Sequence, residues 1–110
     1  MLTDMRCIPC EGGVAPLNKI EAEQLLKQLN SSWKLDSNNK SITRRFEFKG
    51  FQKTMGFVNA IAWVVNQENH HPDMKIGYNY CEVTFTTHAI DGLSENDFIC
   101  AAKIDSLIAQ

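Results

Sequence analysis

"FEFKGFQKTMGFVNAIAWVVNQENHHPDMKIGYNYCEVTFTTH", residues 46–88, changes its apolar period twice. Leading into it, Ile42, Arg44, Phe46 and Phe48 alternate with Thr43, Arg45, Glu47 and Lys49, the period of a strand with one covered face. After Gly50, the residues Phe51, Met55, Val58, Ala62 and Val65 recur at helical spacing, and Ile61 and Trp63 widen the face expected to be buried. Pro72 stops this helix near residues 69–71, because the residue before a proline is pushed out of the α region. Met74, Ile76 and Tyr78 then alternate with polar neighbours, Asn79 turns the chain, and Val83, Phe85 and Thr87 alternate on the return.

The flanks extend this pattern. Asn18 with Glu21 three residues on is a capping box, and Ala22, Leu25, Leu26 and Leu29 form a helical stripe that residues 30–32 end. Trp33 and Leu35, followed by the turn "DSNNKS", pair with the strand at 42–49 as a first hairpin. Beyond the loop "AIDGL", Ser94 is an N-cap, Glu95 and Asp97 face the positive end of a last helix, and Phe98, Ala101, Ile104 and Ile108 form its apolar face. The order α-β-β-α-β-β-α predicts an α+β fold: a four-stranded antiparallel sheet made of two hairpins, with three helices packed on one face. Residues 1–17 read as an irregular, Gly- and Pro-punctuated N-terminal arm, and residues 18–110 as a single domain.

The chain's 110 residues and net charge of −2 suit one compact domain and give no field that would favour a polyanion, so no direct nucleic-acid binding is expected. Lys40, Arg44, Arg45, Lys49 and Lys53 read as a solvated basic face, a cover for a free strand edge or an interface rim. No apolar run approaches the roughly 20 residues that span a bilayer, and the first residues lack a leader's apolar segment. A cytoplasmic protein with no membrane association is the expectation. Cys7 and Cys10 form a C-x-x-C, but Cys81 and Cys100 stand apart, so a second metal-binding pair is missing. Incidental or structural use is expected there, ahead of metal or redox roles.

His70, His71 and His88 are the chain's three histidines. A metal is disfavoured because adjacent helical side chains diverge by about 100°, whereas helical metal sites use i, i+4 spacing. His70 and His71 also suit a plain cap on the negative end of the helix, and His88 alone suits an open strand face. The hairpin links them: pairing about Asn79 returns His88 towards Pro72, so that three imidazoles line one rim. Imidazole gives and takes protons near neutrality, with an ordinary pKa of about 6.5. No activated nucleophile or phosphate-cradling glycine loop is apparent, so proton-transfer chemistry (dehydration, hydration or tautomerisation) is favoured.

The spacing of His70, His71, Pro72, Tyr78, His88 and Asp97, together with "THAIDGLSENDF" at residues 87–98, resembles the pterin-4a-carbinolamine dehydratases. The resemblance implies a hydro-lyase with no cofactor or metal that removes water from 4a-hydroxytetrahydrobiopterin, giving quinonoid dihydropterin and supporting tetrahydropterin recycling for aromatic amino-acid hydroxylases. It implies acid–base work by His70 and His88, with His71 binding or orienting the hydroxyl. Asn69 and residues Thr86, Thr87, His88 and Ala89 would contact the pterin, partly through backbone. Pro72 and Asp97 would support the site, although Asp97 also reads as an ordinary helix-start acid. A homodimer or homotetramer is implied as well. Family members also resemble dimerisation cofactors of a homeodomain transcription factor, which makes a binding role without major catalysis the alternative. One departure stands out: Asn66 occupies a position where the family often has an acid, which bears on carboxylate tuning of His70.

Overall fold

A computed structural model describes residues 1–9 and 12–108. Cys10 of the C-x-x-C lies outside the described residues. Three helices, α1 (Lys19–Leu26), α2 (Phe51–Glu68) and α3 (Glu95–Ser106), accompany four strands: β1 (Lys34–Leu35), β2 (Ile42–Glu47), β3 (Asp73–Ile76) and β4 (Tyr80–Phe85). The strands form one antiparallel sheet in the order β1-β2-β4-β3, as expected for two joined hairpins.

The period of two sorts the sheet into faces. Ile42 and Phe46 of β2 and Cys81, Val83 and Phe85 of β4 are buried in the core. The opposite face is polar: Thr43 and Thr84 pair through their hydroxyls at 2.9 Å, and the Arg45 guanidinium lies 3.9 Å from the Tyr80 ring centroid. Trp33 anchors the covered face, with ring centroids 6.2 Å from Phe46 and 6.1 Å from Phe85. Its indole N–H, which would cost free energy if buried without an acceptor, donates to Asp105 at 2.8 Å.

The helix starts follow the sequence signals closely. Asn18 caps α1 in a capping box with Glu21, both bonds being 2.9 Å. Gly50 precedes α2, and Ser94 precedes α3, where the Ser94 N–H donates to Asp97 at 2.9 Å. The Gly77–Asn79 turn of the second hairpin needs its glycine, because the Tyr80 ring fills the place a side chain at 77 would occupy.

Several expectations are corrected. The α1 helix ends at Leu26, before residues 30–32, and Tyr78 lies in the exposed turn beyond β3. Trp63 is not on the buried face; it is 68% exposed while Ile61 is fully buried, because two residues turn an α-helix by about 200°. Arg44 is not a solvated cation. It points to the covered side, pairs with Asp105 at 2.7 Å and lies 4.3 Å from the Phe46 ring centroid. The α3 helix is covered on more than its apolar stripe: Asn96, Asp97 and Cys100 are buried too. Part of that cover is the N-terminal arm, whose Leu2 is buried in the core and whose Ile8 exchanges hydrogen bonds with the Asn96 amide.

Candidate active site

Asp97 is the hub of the site. It is fully buried, and each carboxylate oxygen is used. One oxygen lies 2.6 Å from His70 Nε2. The other accepts from the Thr87 hydroxyl at 2.8 Å and from the Ser94 N–H at 2.9 Å. Ser94 Oγ lies 2.8 Å from Thr87 Oγ1. Thr87 has one hydroxyl proton and gives it to the carboxylate, so Ser94 supplies the hydrogen in that contact. These contacts give the buried carboxyl group the hydrogen-bond partners that a buried polar group needs.

His70 is placed by the end of α2. Asn69 takes the left-handed conformation (φ 52°) that asparagine tolerates, and its N–H closes on Val65. The chain then leaves the helix at His70, two residues before Pro72. The imidazole stacks on Phe85 with centroids 6.0 Å apart and planes within 7°. With Nε2 committed to Asp97, the ring offers Nδ1, which has no hydrogen-bond partner among the described residues. His71 turns elsewhere: its Nε2 lies 3.0 Å from the Asn66 side-chain oxygen, and the residue is exposed. The position that departs from the family pattern therefore faces His71, and the carboxylate beside His70 comes from Asp97.

The return of His88 is also refined. Asp73 pairs with Thr84, so continuing the register would set Phe85 opposite Pro72 and carry His88 three residues further along. The β4 strand ends at Phe85, and His88 opens a short 3-10 turn, His88–Ile90. Thr87 and Gly92 close this excursion through a backbone bridge, which leaves His88 and Ala89 exposed at its tip. His70 and Thr87 thus meet through Asp97, with His88 next in the chain; no hydrogen bond or ring stacking joins the three imidazoles among the described residues. The Thr86 hydroxyl is spent on the Lys40 carbonyl and the Thr87 hydroxyl on Asp97, and the Thr87 backbone N–H and carbonyl are both used within the turn, by Gly92 and by Ile90 and Gly92.

Glu68 escaped the sequence reading. Nearly buried at the end of α2, it accepts from the Cys7 N–H at 2.8 Å, from Arg6 at 2.9 Å and from Lys103 at 2.7 Å. Burial pushes its carboxyl up, but these donors outweigh that and hold it at about 2. The Cys7 and Cys100 sulfurs are 3.5 Å apart. Hydrogen bonding to Cys7, then burial and neighbouring negative charge, push the Cys100 thiol well up, so it is protonated and a poor nucleophile. A signal for this region did exist. Asn96, Cys100 and Lys103 recur at i, i+4 and i+7, a second stripe on α3 that is polar and yet covered.

A buried carboxylate holds one imidazole, and a second imidazole stands on an adjoining exposed turn, on an antiparallel α+β scaffold. The model of the family "Pterin 4 alpha carbinolamine dehydratase" matches residues 15–107, and the chain belongs to that family. The chain is 64% identical over 107 residues to a Nitrosomonas eutropha protein named as a pterin-4-alpha-carbinolamine dehydratase, covering 97% of this chain and 93% of that one. It is 56% identical over 107 residues to a Legionella pneumophila protein of the same name, covering 97% and 95%. Among solved structures, it is similar to a transcriptional coactivator/pterin dehydratase from Brucella melitensis, with a TM-score of 0.78 and 32% identity over 84% of this chain and 97% of that one.

Proposed function

We propose that this chain dehydrates 4a-hydroxytetrahydrobiopterin or a close 4a-hydroxytetrahydropterin, with His70 as general base and His88 as general acid. The observation that carries the reading is the Asp97–His70 pair at 2.6 Å in a member of this family. The reaction removes the proton from N5, forms the C4a=N5 double bond and breaks the C4a–O bond, and the hydroxyl leaves as water once protonated. Hydroxide leaves poorly, so an acid is needed at the oxygen and a base at the nitrogen.

His70 suits the base. An Nε2–H donated to Asp97 fixes the neutral tautomer with its lone pair on Nδ1, and the ionised carboxylate stabilises the imidazolium that forms. His88, exposed on its turn, suits the acid at the leaving oxygen. His71, with Nε2 donating to Asn66, binds or orients the hydroxyl. Asn69 and residues 86–89 would contact the pterin, partly through backbone. No resident metal or cofactor is required by this scheme.

Support of tetrahydropterin recycling for aromatic amino-acid hydroxylases is the corresponding physiological role, in a cytoplasmic homodimer or homotetramer. A binding role alone is less favoured, because it gives the Asp97–His70 pair no task. A dehydration assay on freshly generated 4a-hydroxytetrahydropterin tests the proposal. Loss of quinonoid dihydropterin formation in His70→Ala and His88→Ala is expected, and wild-type rates in both would refute it.

A further inference from the structure

The family model begins at residue 15, so the segment Arg6–Pro9 lies outside the residues it matches, yet it is tied down beside His70. Arg6 and the Cys7 N–H meet Glu68, the residue before Asn69 and His70; Arg6 also donates to the Gln67 carbonyl at 3.2 Å. Ile8 is held at both backbone groups by Asn96, at 3.1 and 2.6 Å. Lys103 reaches the same Glu68 carboxylate from α3. Between the arm and the end of α2 lies a cavity of about 260 Å³ lined on one side by Cys7, Ile8 and Pro9 and on the other by Gln67, Asn69 and His70.

We propose that the arm is a wall of the substrate site and that Glu68 is the positioning residue that holds it there. The proposal rests on the dehydratase reading and concerns how that site grips its pterin. The cavity's chemistry fits a flat, polar-edged heterocycle. Ile8 and Pro9 present apolar surface to a ring face. The side-chain amides of Gln67 and Asn69 have no hydrogen-bond partner among the described residues and each offers a donor beside an acceptor, the complement of a 2-amino-4-oxo pyrimidine edge. Glu68 touches no reacting atom in this scheme. It acts by fixing the arm to the same helix end that aims His70.

Two measurements test this on the full chain. The first is alkylation of Cys7 by iodoacetamide in a Cys10→Ser background, followed by peptide mass spectrometry, with and without biopterin, an oxidised pterin with no 4a-hydroxyl to lose. Bound biopterin is expected to slow Cys7 alkylation by roughly fivefold or more, as a ligand shields the wall it covers. The second is the KM against kcat split for dehydration. Glu68→Gln, with Arg6→Ala as the milder second variant should the first fold poorly, is expected to raise KM about fivefold while kcat changes by less than about twofold, the mark of lost substrate binding. A merely structural Glu68 would lower the active fraction, and so kcat, with KM unchanged. Unaltered Cys7 reactivity with biopterin bound overturns the arm proposal alone, as does an unaltered KM in both variants; the KM comparison decides if biopterin binds too weakly to shield. A wild-type chain that dehydrates no 4a-hydroxytetrahydropterin overturns the dehydratase reading itself.

Discussion

His70 and His88 carry the same imidazole in opposite settings. His70 is clamped: Nε2 on a fully buried carboxylate, ring against Phe85, backbone at the end of an 18-residue helix. His88 stands at the tip of a short turn, exposed, with no side-chain partner among the described residues. In the proposed scheme the contrast separates two demands on a proton-transfer site. The base must keep one tautomer and one direction, which a buried partner enforces. The acid must reach a leaving group and exchange its proton with solvent, which exposure permits.

The comparison can be broken by removing each ring. His70→Ala should lower kcat/KM by about 10²-fold or more, since it deletes an oriented base, and imidazole added to the buffer should restore little because Phe85 and Asp97 wall the site. Asp97→Asn should cost on the order of 10²-fold in kcat, because an amide can donate to His70 and impose the opposite tautomer. Circular dichroism should show whether the fold survives the loss of the acceptor for Thr87 and Ser94. His88→Ala should cost at least about tenfold, and added imidazole should recover part of the rate at an exposed position. Equal rescue of both alanine variants would erase the distinction drawn between the two rings.

Smaller effects sharpen it. Glu68, held at about 2 against its ordinary 4.5, contributes stability that is fully present above pH 4.5 and is lost as pH falls towards 2. Urea titrations should therefore find Glu68→Gln less stable than wild type by on the order of 3 kcal/mol at neutral pH, with the gap closing across that acid window. Asn66→Asp replaces the amide oxygen that lies 3.0 Å from the exposed His71 ring with a carboxylate oxygen. Turnover in the dehydration assay is expected to change less than in any histidine variant.

The helix and strand order could be read locally because each signal is local. A capping box such as Asn18–Glu21, a period switch at Gly50 and a proline at 72 act within a few residues of where they stand. The histidines and Asp97 were legible for the same reason, through their spacing in one continuous segment. The misreadings have a different origin. Trp63 sits at a spacing that looked like a wider apolar face, yet it is 68% exposed. Arg44 looked like one of a basic run until Asp105, from the far end of the chain, reached it.

By itself, the sequence determined the α-β-β-α-β-β-α order, the faces of the central strands and the histidine spacing, since periodicity and turn chemistry depend on near neighbours. Only the tertiary structure decided which carboxylate serves which imidazole. Asp97 reaches His70 from 27 residues away, Asn66 goes to His71, and Glu68 ties Arg6 and Lys103 from both ends of the chain. Such pairings have no period. They are set by which buried charges must find partners once helices and sheet have packed, because leaving one unmatched in the interior costs several kcal/mol.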